Sequence, residues 1–171
     1  MDAIEGLRNI QSSDIGDLVA AIHASPPCQA YTKAQRIQKN EHPDLIGTVR
    51  DLLKGLDIPY IIENVPGSPL DGFTLCGLMF DLGVDRDRVF ETSFPVEVPT
   101  HPAHDRPKAK MGRPPKDGEI IQVVGNFSNV KYAREAMGID WMTRNELRES
   151  IPPAYTEYIG RQLIEIIGVD K

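Results

Sequence analysis

Two cysteines in 171 residues leave no material for a disulfide framework. No apolar run approaches the roughly 20 residues that cross a bilayer, which excludes a spanning helix. The opening Met1–Asp2–Ala3–Ile4–Glu5–Gly6 has no basic region followed by an apolar core, so no signal peptide is expected and the thiols are expected to be free in a reducing cytoplasm. Basic excess is missing too: the net charge is −6, so the chain does not advertise nucleic-acid binding by its sum. No internal repeat divides it, and one domain over residues 1–171 is expected. What it does contain is an ordinary globular balance, 40% hydrophobic and 26% charged.

Periodicity sketches an α/β chain. Residues 2–12 read as a short helix. Val19–Ala24 and Ile58–Glu63 read as short buried strands. Between them, Leu45, Ile46, Val49, Leu52, Leu53 and Leu56 repeat at helical spacing with Pro43 near the first turn. That order predicts a β-loop-α-β unit and a parallel sheet. Leu75–Leu82 predicts a short helix or turn, and Arg88–Thr92 and Glu119–Val124 predict strands. Asn129–Met137, Thr143–Ser150 and Pro152–Ile167 predict helices, the last with Ala154, Tyr158, Ile159, Leu163, Ile166 and Ile167 on one face. Residues 92–120 form a basic, proline-rich loop.

Three clusters carry chemistry. Ala24–Ser25–Pro26–Pro27–Cys28–Gln29 sets a thiol just past the first strand, where open α/β sheets place their active sites. Pro26–Pro27 before it and the polar Gln29–Ala30–Tyr31–Thr32–Lys33 after it argue against a cysteine that merely fills space. Ile62–Glu63–Asn64–Val65 ends the second strand with a carboxylate, whose burial is costly without a task or a partner. A glutamate there either serves as a proton donor or is salt-bridged. In Asp85–Arg86–Asp87–Arg88 the two arginines are expected to point to the same face of a strand. That face then needs anions or carbonyl acceptors, or pairs with Asp85 and Asp87. Positive charge gathers at Lys33, Arg36 and Lys39 after the cysteine, and again at Arg106, Lys108, Lys110, Arg113 and Lys116. His101 and His104 have no cysteine pair beside them and read as solvent-exposed rather than metal-bound.

In this order and spacing, Pro27–Cys28–Gln29, Glu63–Asn64–Val65 and Arg86–x–Arg88 resemble the sequence blocks of DNA cytosine-5 methyltransferases. Ile151–Pro152–Pro153–Ala154–Tyr155 through Ile159–Gly160–Arg161 is similar to the family's last block. The resemblance implies a partial Rossmann-like, S-adenosylmethionine-dependent methyltransferase sheet with a very short recognition region. It implies that the Cys28 thiolate adds to carbon 6 of a cytosine flipped out of DNA, with Glu63 at N3 and Arg88, beside Arg86, on the O2 carbonyl. Carbon 5 then takes the methyl group of the cofactor, and loss of its proton releases the enzyme. Pro27, Ser150 and Pro152 are implied on the cofactor side, and Gln29, Lys33, Arg36, Lys39 and Arg113 on the DNA side.

The chain departs from the family in three ways. No Phe-x-Gly-x-Gly cofactor turn precedes Val19, so the expectation is that a missing N-terminal half or a second polypeptide supplies the cofactor half, and the uncovered edge beside Val19–Ala24 predicts a homo-oligomer or a complex. Only residues 92–120 stand where a large recognition segment is usual. Arg148–Glu149–Ser150 replaces a Gly-Asn-Ser. The alternative is a catalytically silent DNA-binding remnant. A short chain of this kind suits a phage or a restriction–modification setting.

Overall fold

The computed structural model describes residues 3–11, 16, 18–32 and 42–168. Within these the chain is an α/β fold with a small mixed sheet of four strands and five α-helices. Its contacts group into two compact units, Met1–Thr74 with Arg88–Val96, and Leu75–Asp87 with Glu97–Lys171. No helix among the described residues is long and apolar enough to cross a membrane.

The first unit is built on strands β1 (Ile22–Ala24), β2 (Tyr60–Asn64), β3 (Phe73–Leu75) and β4 (Arg88–Thr92), in the order β1-β2-β4-β3. β1 and β2 run parallel, with Ala24 opposite Ile62. β2 and β4 run antiparallel, with Glu63 opposite Phe90 and Asn64 opposite Val89, so the sheet is mixed rather than parallel as expected. Parallel strands need a crossover, and helix α2 (Ile46–Lys54) supplies it. Its Ile46, Val49 and Leu53 fall on one side at helical spacing and are buried. The Asp44 carboxylate accepts the Ile46 amide at 3.3 Å, so the helix begins after Pro43 rather than on it. Helix α1 (Ala3–Gln11) packs on α2, and Leu7, Val49, Leu53, Tyr60 and Ile62 close the core between the helices and the sheet.

β1 is shorter than the predicted Val19–Ala24, because Val19 bonds locally to the Gly16 carbonyl instead of joining the ladder. β3 was not expected. It exists because Gly72 lets the chain come in against β4: a Cβ at Gly72 would stand 1.9 Å from the Phe90 carbonyl oxygen. Phe73 then stacks on Phe90 at 6.0 Å between ring centroids.

The second unit holds helices α3 (Val130–Met137), α4 (Arg144–Glu149) and α5 (Pro153–Ile167). Asn129 caps α3 by accepting the Tyr132 amide, and Thr143 with Glu146 forms a reciprocal cap on α4. Pro153 opens α5 and Gly168, in the left-handed region, ends it. The core is Val84, Ile121, Val123, Phe127, Ala133, Met137 and Leu147.

Two expectations are corrected here. Glu119–Val124 is not a strand: only Ile120 and Ile121 bridge, to Lys108 and Val84, and Pro107 has no amide with which to lengthen the ladder. The buried face of α5 is Tyr155, Ile159 and Leu163, while Ile166 is exposed. The face is set by Tyr155, whose hydroxyl donates to the Arg86 carbonyl at 2.7 Å.

Candidate functional site

The first unit brings Cys28, Glu63, Asn64 and Arg88 to one end of the sheet. β1 and β2 are parallel, so the loop after Ala24 and the last residues of β2 leave by the same end. β4 is antiparallel, so it starts there, at Arg88. A direct tie holds the loop down: the Asn64 side-chain amide donates to the Pro26 carbonyl at 2.9 Å. The Asn64 oxygen in turn accepts the Val65 amide at 3.0 Å. Cys28 follows two residues after the anchored carbonyl. It is partly exposed, in no disulfide, and its carbonyl accepts the Tyr31 amide to start the single turn Gln29–Tyr31. The Tyr31 hydroxyl reaches the Asp44 carboxylate ahead of α2. Gln29 is exposed, as is Pro27.

Glu63 is buried, with 7% of its surface accessible, and its carboxylate meets Arg88 Nε at 2.8 Å. The salt-bridged form of this glutamate is therefore the resting one. A second buried pair braces the same sheet: Arg50 binds both oxygens of Glu91 at 2.7 Å, and Glu91 also accepts the Asp71 amide. Burial works to raise the Glu91 pKa, but the Arg50 hydrogen bonds, the Asp71 amide and nearby positive charge outweigh it, and the net direction is down. His23 shows the opposite balance. Burial lowers its pKa and the neighbouring Glu63 charge only partly restores it. A cavity of about 390 Å³ in this unit, lined in part by Ile10, Val19, Leu56 and Pro59, lies at the amino ends of β1 and β2, away from Cys28.

Arg86 does not stand beside Arg88 on a strand, as expected. β4 begins at Arg88, and Arg86 belongs to the second unit, where it is buried. Its guanidinium donates to the carbonyls of Val123 at 2.6 Å, Arg148 at 2.6 Å and Ser150 at 2.5 Å. Carbonyl acceptors were one of the two partners such a group needs, and they lie in the second unit's own backbone. The hydroxyl of Ser150 donates to the Leu147 carbonyl at 3.2 Å, and Pro152 is a buried cap at the start of α5. Both have structural tasks inside the second unit. Arg113 is held by Glu119 through two contacts at 2.7 and 2.5 Å. The Arg113 hydrogen bond holds the Glu119 carboxyl down to about 2. Lys33, Arg36 and Lys39 lie outside the described residues.

The sequence reading also missed a cluster in the second unit. Cys76, Asp87, His101 and His104 each offer a ligand atom, and these four atoms lie within 4.8 Å of one another. The two histidines are exposed, as expected, and they also stack at 4.9 Å beside a buried thiol, which the sequence did not signal. The His-x-x-His spacing was the available signal; the distant Cys76 and Asp87 gave none.

No protein-family model matches the chain, and no curated protein matches it.

Proposed function

We propose that this chain carries the catalytic residues of a DNA cytosine-5 methyltransferase, with Cys28 as nucleophile and the cofactor turn supplied from outside residues 1–171. The observation that carries the reading is the convergence, at one sheet end, of a partly exposed thiol, a buried glutamate and an arginine paired with it. An open α/β sheet presents its reactive groups at the carboxyl ends of its parallel strands. A partial Rossmann-like arrangement is compatible with the parallel β1–α2–β2 crossover.

In this reading the Cys28 thiolate forms a bond to carbon 6 of an extruded cytosine, and the ring's electrons move towards N3, where Glu63 stands. Arg88 orients Glu63 and the O2 side of the base. S-adenosylmethionine, when bound, would supply an activated methyl on sulfur to carbon 5 and leave as S-adenosylhomocysteine. Loss of the carbon 5 proton to a base then expels the thiolate and restores the ring. Arg86 has no contact role here; its guanidinium is engaged by Val123, Arg148 and Ser150.

The test is to incubate the chain with DNA containing 5-fluorocytosine, S-adenosylmethionine and a candidate partner carrying a Gly-rich cofactor turn. Fluorine at carbon 5 cannot leave as a proton, so a denaturation-resistant protein–DNA adduct is expected. Cys28→Ser, at a partly exposed position, should fold normally and form none. No adduct from the natural chain, or an adduct that survives Cys28→Ser, overturns the proposal. Salt-sensitive DNA binding without any adduct would identify the silent remnant instead.

A further inference from the structure

We propose that Cys76, Asp87, His101 and His104 are the ligands of a structural zinc ion in the second unit. The four atoms come from three stretches of chain, at Cys76, Asp87 and the His101–His104 segment, and meet within 4.8 Å. A tetrahedral zinc with bonds of about 2.0–2.3 Å sets its ligands roughly 3.3–3.6 Å apart. Cys76 Sγ and His104 Nε2 are already 3.3 Å apart. Closing the widest pair therefore needs a side-chain adjustment on the order of 1 Å.

Both imidazoles are oriented for the task. His101 Nδ1 lies 2.9 Å from the Pro102 carbonyl. That oxygen only accepts, so Nδ1 carries the proton and Nε2 keeps the lone pair. His104 Nδ1 faces the Asp85 carboxylate at 3.6 Å, a negative charge that favours a proton on Nδ1, and Nε2 faces the thiol. A carboxylate or carbonyl behind each ring is the outer shell that orients metal-binding histidines. Asp85 is itself positioned by Lys108 Nζ at 2.6 Å and Gln122 Nε2 at 2.7 Å.

Backbone packing holds the cysteine end still. Gly77, next to Cys76, is so close to Val84 that a Cβ would stand 2.2 Å from its carbonyl oxygen. The histidine end, by contrast, sits in the proline-rich segment after Val96, which has no helix and mostly exposed residues. A metal joining the two ends orders a segment that has little apolar surface to bury. One sulfur, two nitrogens and one carboxylate oxygen suit zinc rather than calcium or magnesium, which take oxygen ligands. Four protein ligands leave no open position, which makes the site structural rather than catalytic.

The experiment uses the untagged full chain, reduced and stripped with chelator, titrated with zinc chloride and separately with cobalt(II). Native mass spectrometry is expected to show one zinc per chain. Cobalt is expected to give the intense visible bands of a four-coordinate ion and a thiolate-to-metal charge-transfer band. His101→Ala and His104→Ala should each weaken zinc binding at least about tenfold, and Asp85→Asn by about 10–100-fold. Cys76→Ser should abolish the charge-transfer band. Cys76 is fully buried and its replacement can disturb folding, so His101→Ala, at an exposed ring and checked by circular dichroism, carries the decision. A cobalt spectrum unchanged from the aqueous ion, or zinc affinity unaffected in both histidine variants, overturns the site.

Discussion

Replacing Arg88 with methionine leaves the Glu63 carboxylate buried beside a hydrocarbon. Breaking one side of a buried ion pair costs about 3–5 kcal/mol, because the remaining charge has lost both water and partner. Glu63 retains 7% of its surface and the Arg88 side chain 13%. That residual access to water puts the expected loss at the lower end, about 3 kcal/mol. With a urea slope of about 2 kcal/mol per molar, the midpoint should fall by roughly 1.5 M. Glu63→Leu should cost a similar amount by stranding the guanidinium. The double variant should cost far less than the sum, with a coupling of at least about 2 kcal/mol, since paired apolar replacements of buried ion pairs are often near neutral. Trp141 is exposed and lies in the other unit, so its fluorescence is the wrong probe. Hydrogen exchange at the Tyr60–Asn64 amides reports on the strand that bears the pair. Single variants within about 1 kcal/mol of the natural chain, or strictly additive losses, would refute the reasoning. A folded double variant has a further use: it should form no adduct with 5-fluorocytosine DNA, which separates the chemistry of the pair from its part in folding.

The Glu91 carboxyl titrates below its ordinary 4.5, the Arg50 and Asp71 hydrogen bonds outweighing burial. Its folded pKa is depressed, so its contribution is complete above about pH 5 and is lost as pH falls through the folded value. The stability gap between the natural chain and Glu91→Gln should therefore shrink in acid-titration unfolding curves, and a gap that stays constant from pH 7 to pH 3 refutes it. Gly72→Ala should cost about 1–3 kcal/mol, because the new Cβ meets the Phe90 carbonyl at 1.9 Å and neither backbone can easily retreat. Exchange protection should be lost at β3 while β1 and β2 keep theirs, and an unaltered melting curve would count against the close approach.

Much of the fold can be read in the chain where local signals agree. β4 spans Arg88–Thr92 as expected, and the caps Asn129, Thr143 and Gly168 mark helix ends within a residue or two. The β-loop-α-β pattern foretells that Cys28 and Glu63 leave by the same sheet end, but it predicts a parallel sheet, and Arg88 joins them only because β4 runs antiparallel to β2. What fails is whatever depends on distant partners. β3 is three residues long and rests on Gly72 reaching Phe90, which no local pattern reports. Ile120 and Ile121 have strand-forming side chains, but strand pairing needs a neighbour that can continue it. Arg86 was placed by alternation alone, and its true surroundings are carbonyls far along the chain, at Val123, Arg148 and Ser150. His101 and His104 were visible, yet the thiol that gives them meaning lies on the far side of β4 in sequence.

The composition of β2 bears on why the candidate site is built as it is. All five residues of Tyr60–Asn64 are buried, yet the last two are a carboxylate and an amide. Apolar residues at those positions would serve stability as well or better, since burying polar groups costs free energy that their partners roughly return. Their contribution is positional. Asn64 fixes the loop at Pro26, two residues before Cys28, and Glu63 fixes the start of β4 at Arg88. A slip of one residue in β2 would turn both side chains to the opposite face and break both ties. The pair thus sets the register of the two segments that deliver the thiol and the guanidinium. Under the proposed function, that register is what would bring the Cys28 thiol to the same sheet end as the Glu63–Arg88 pair.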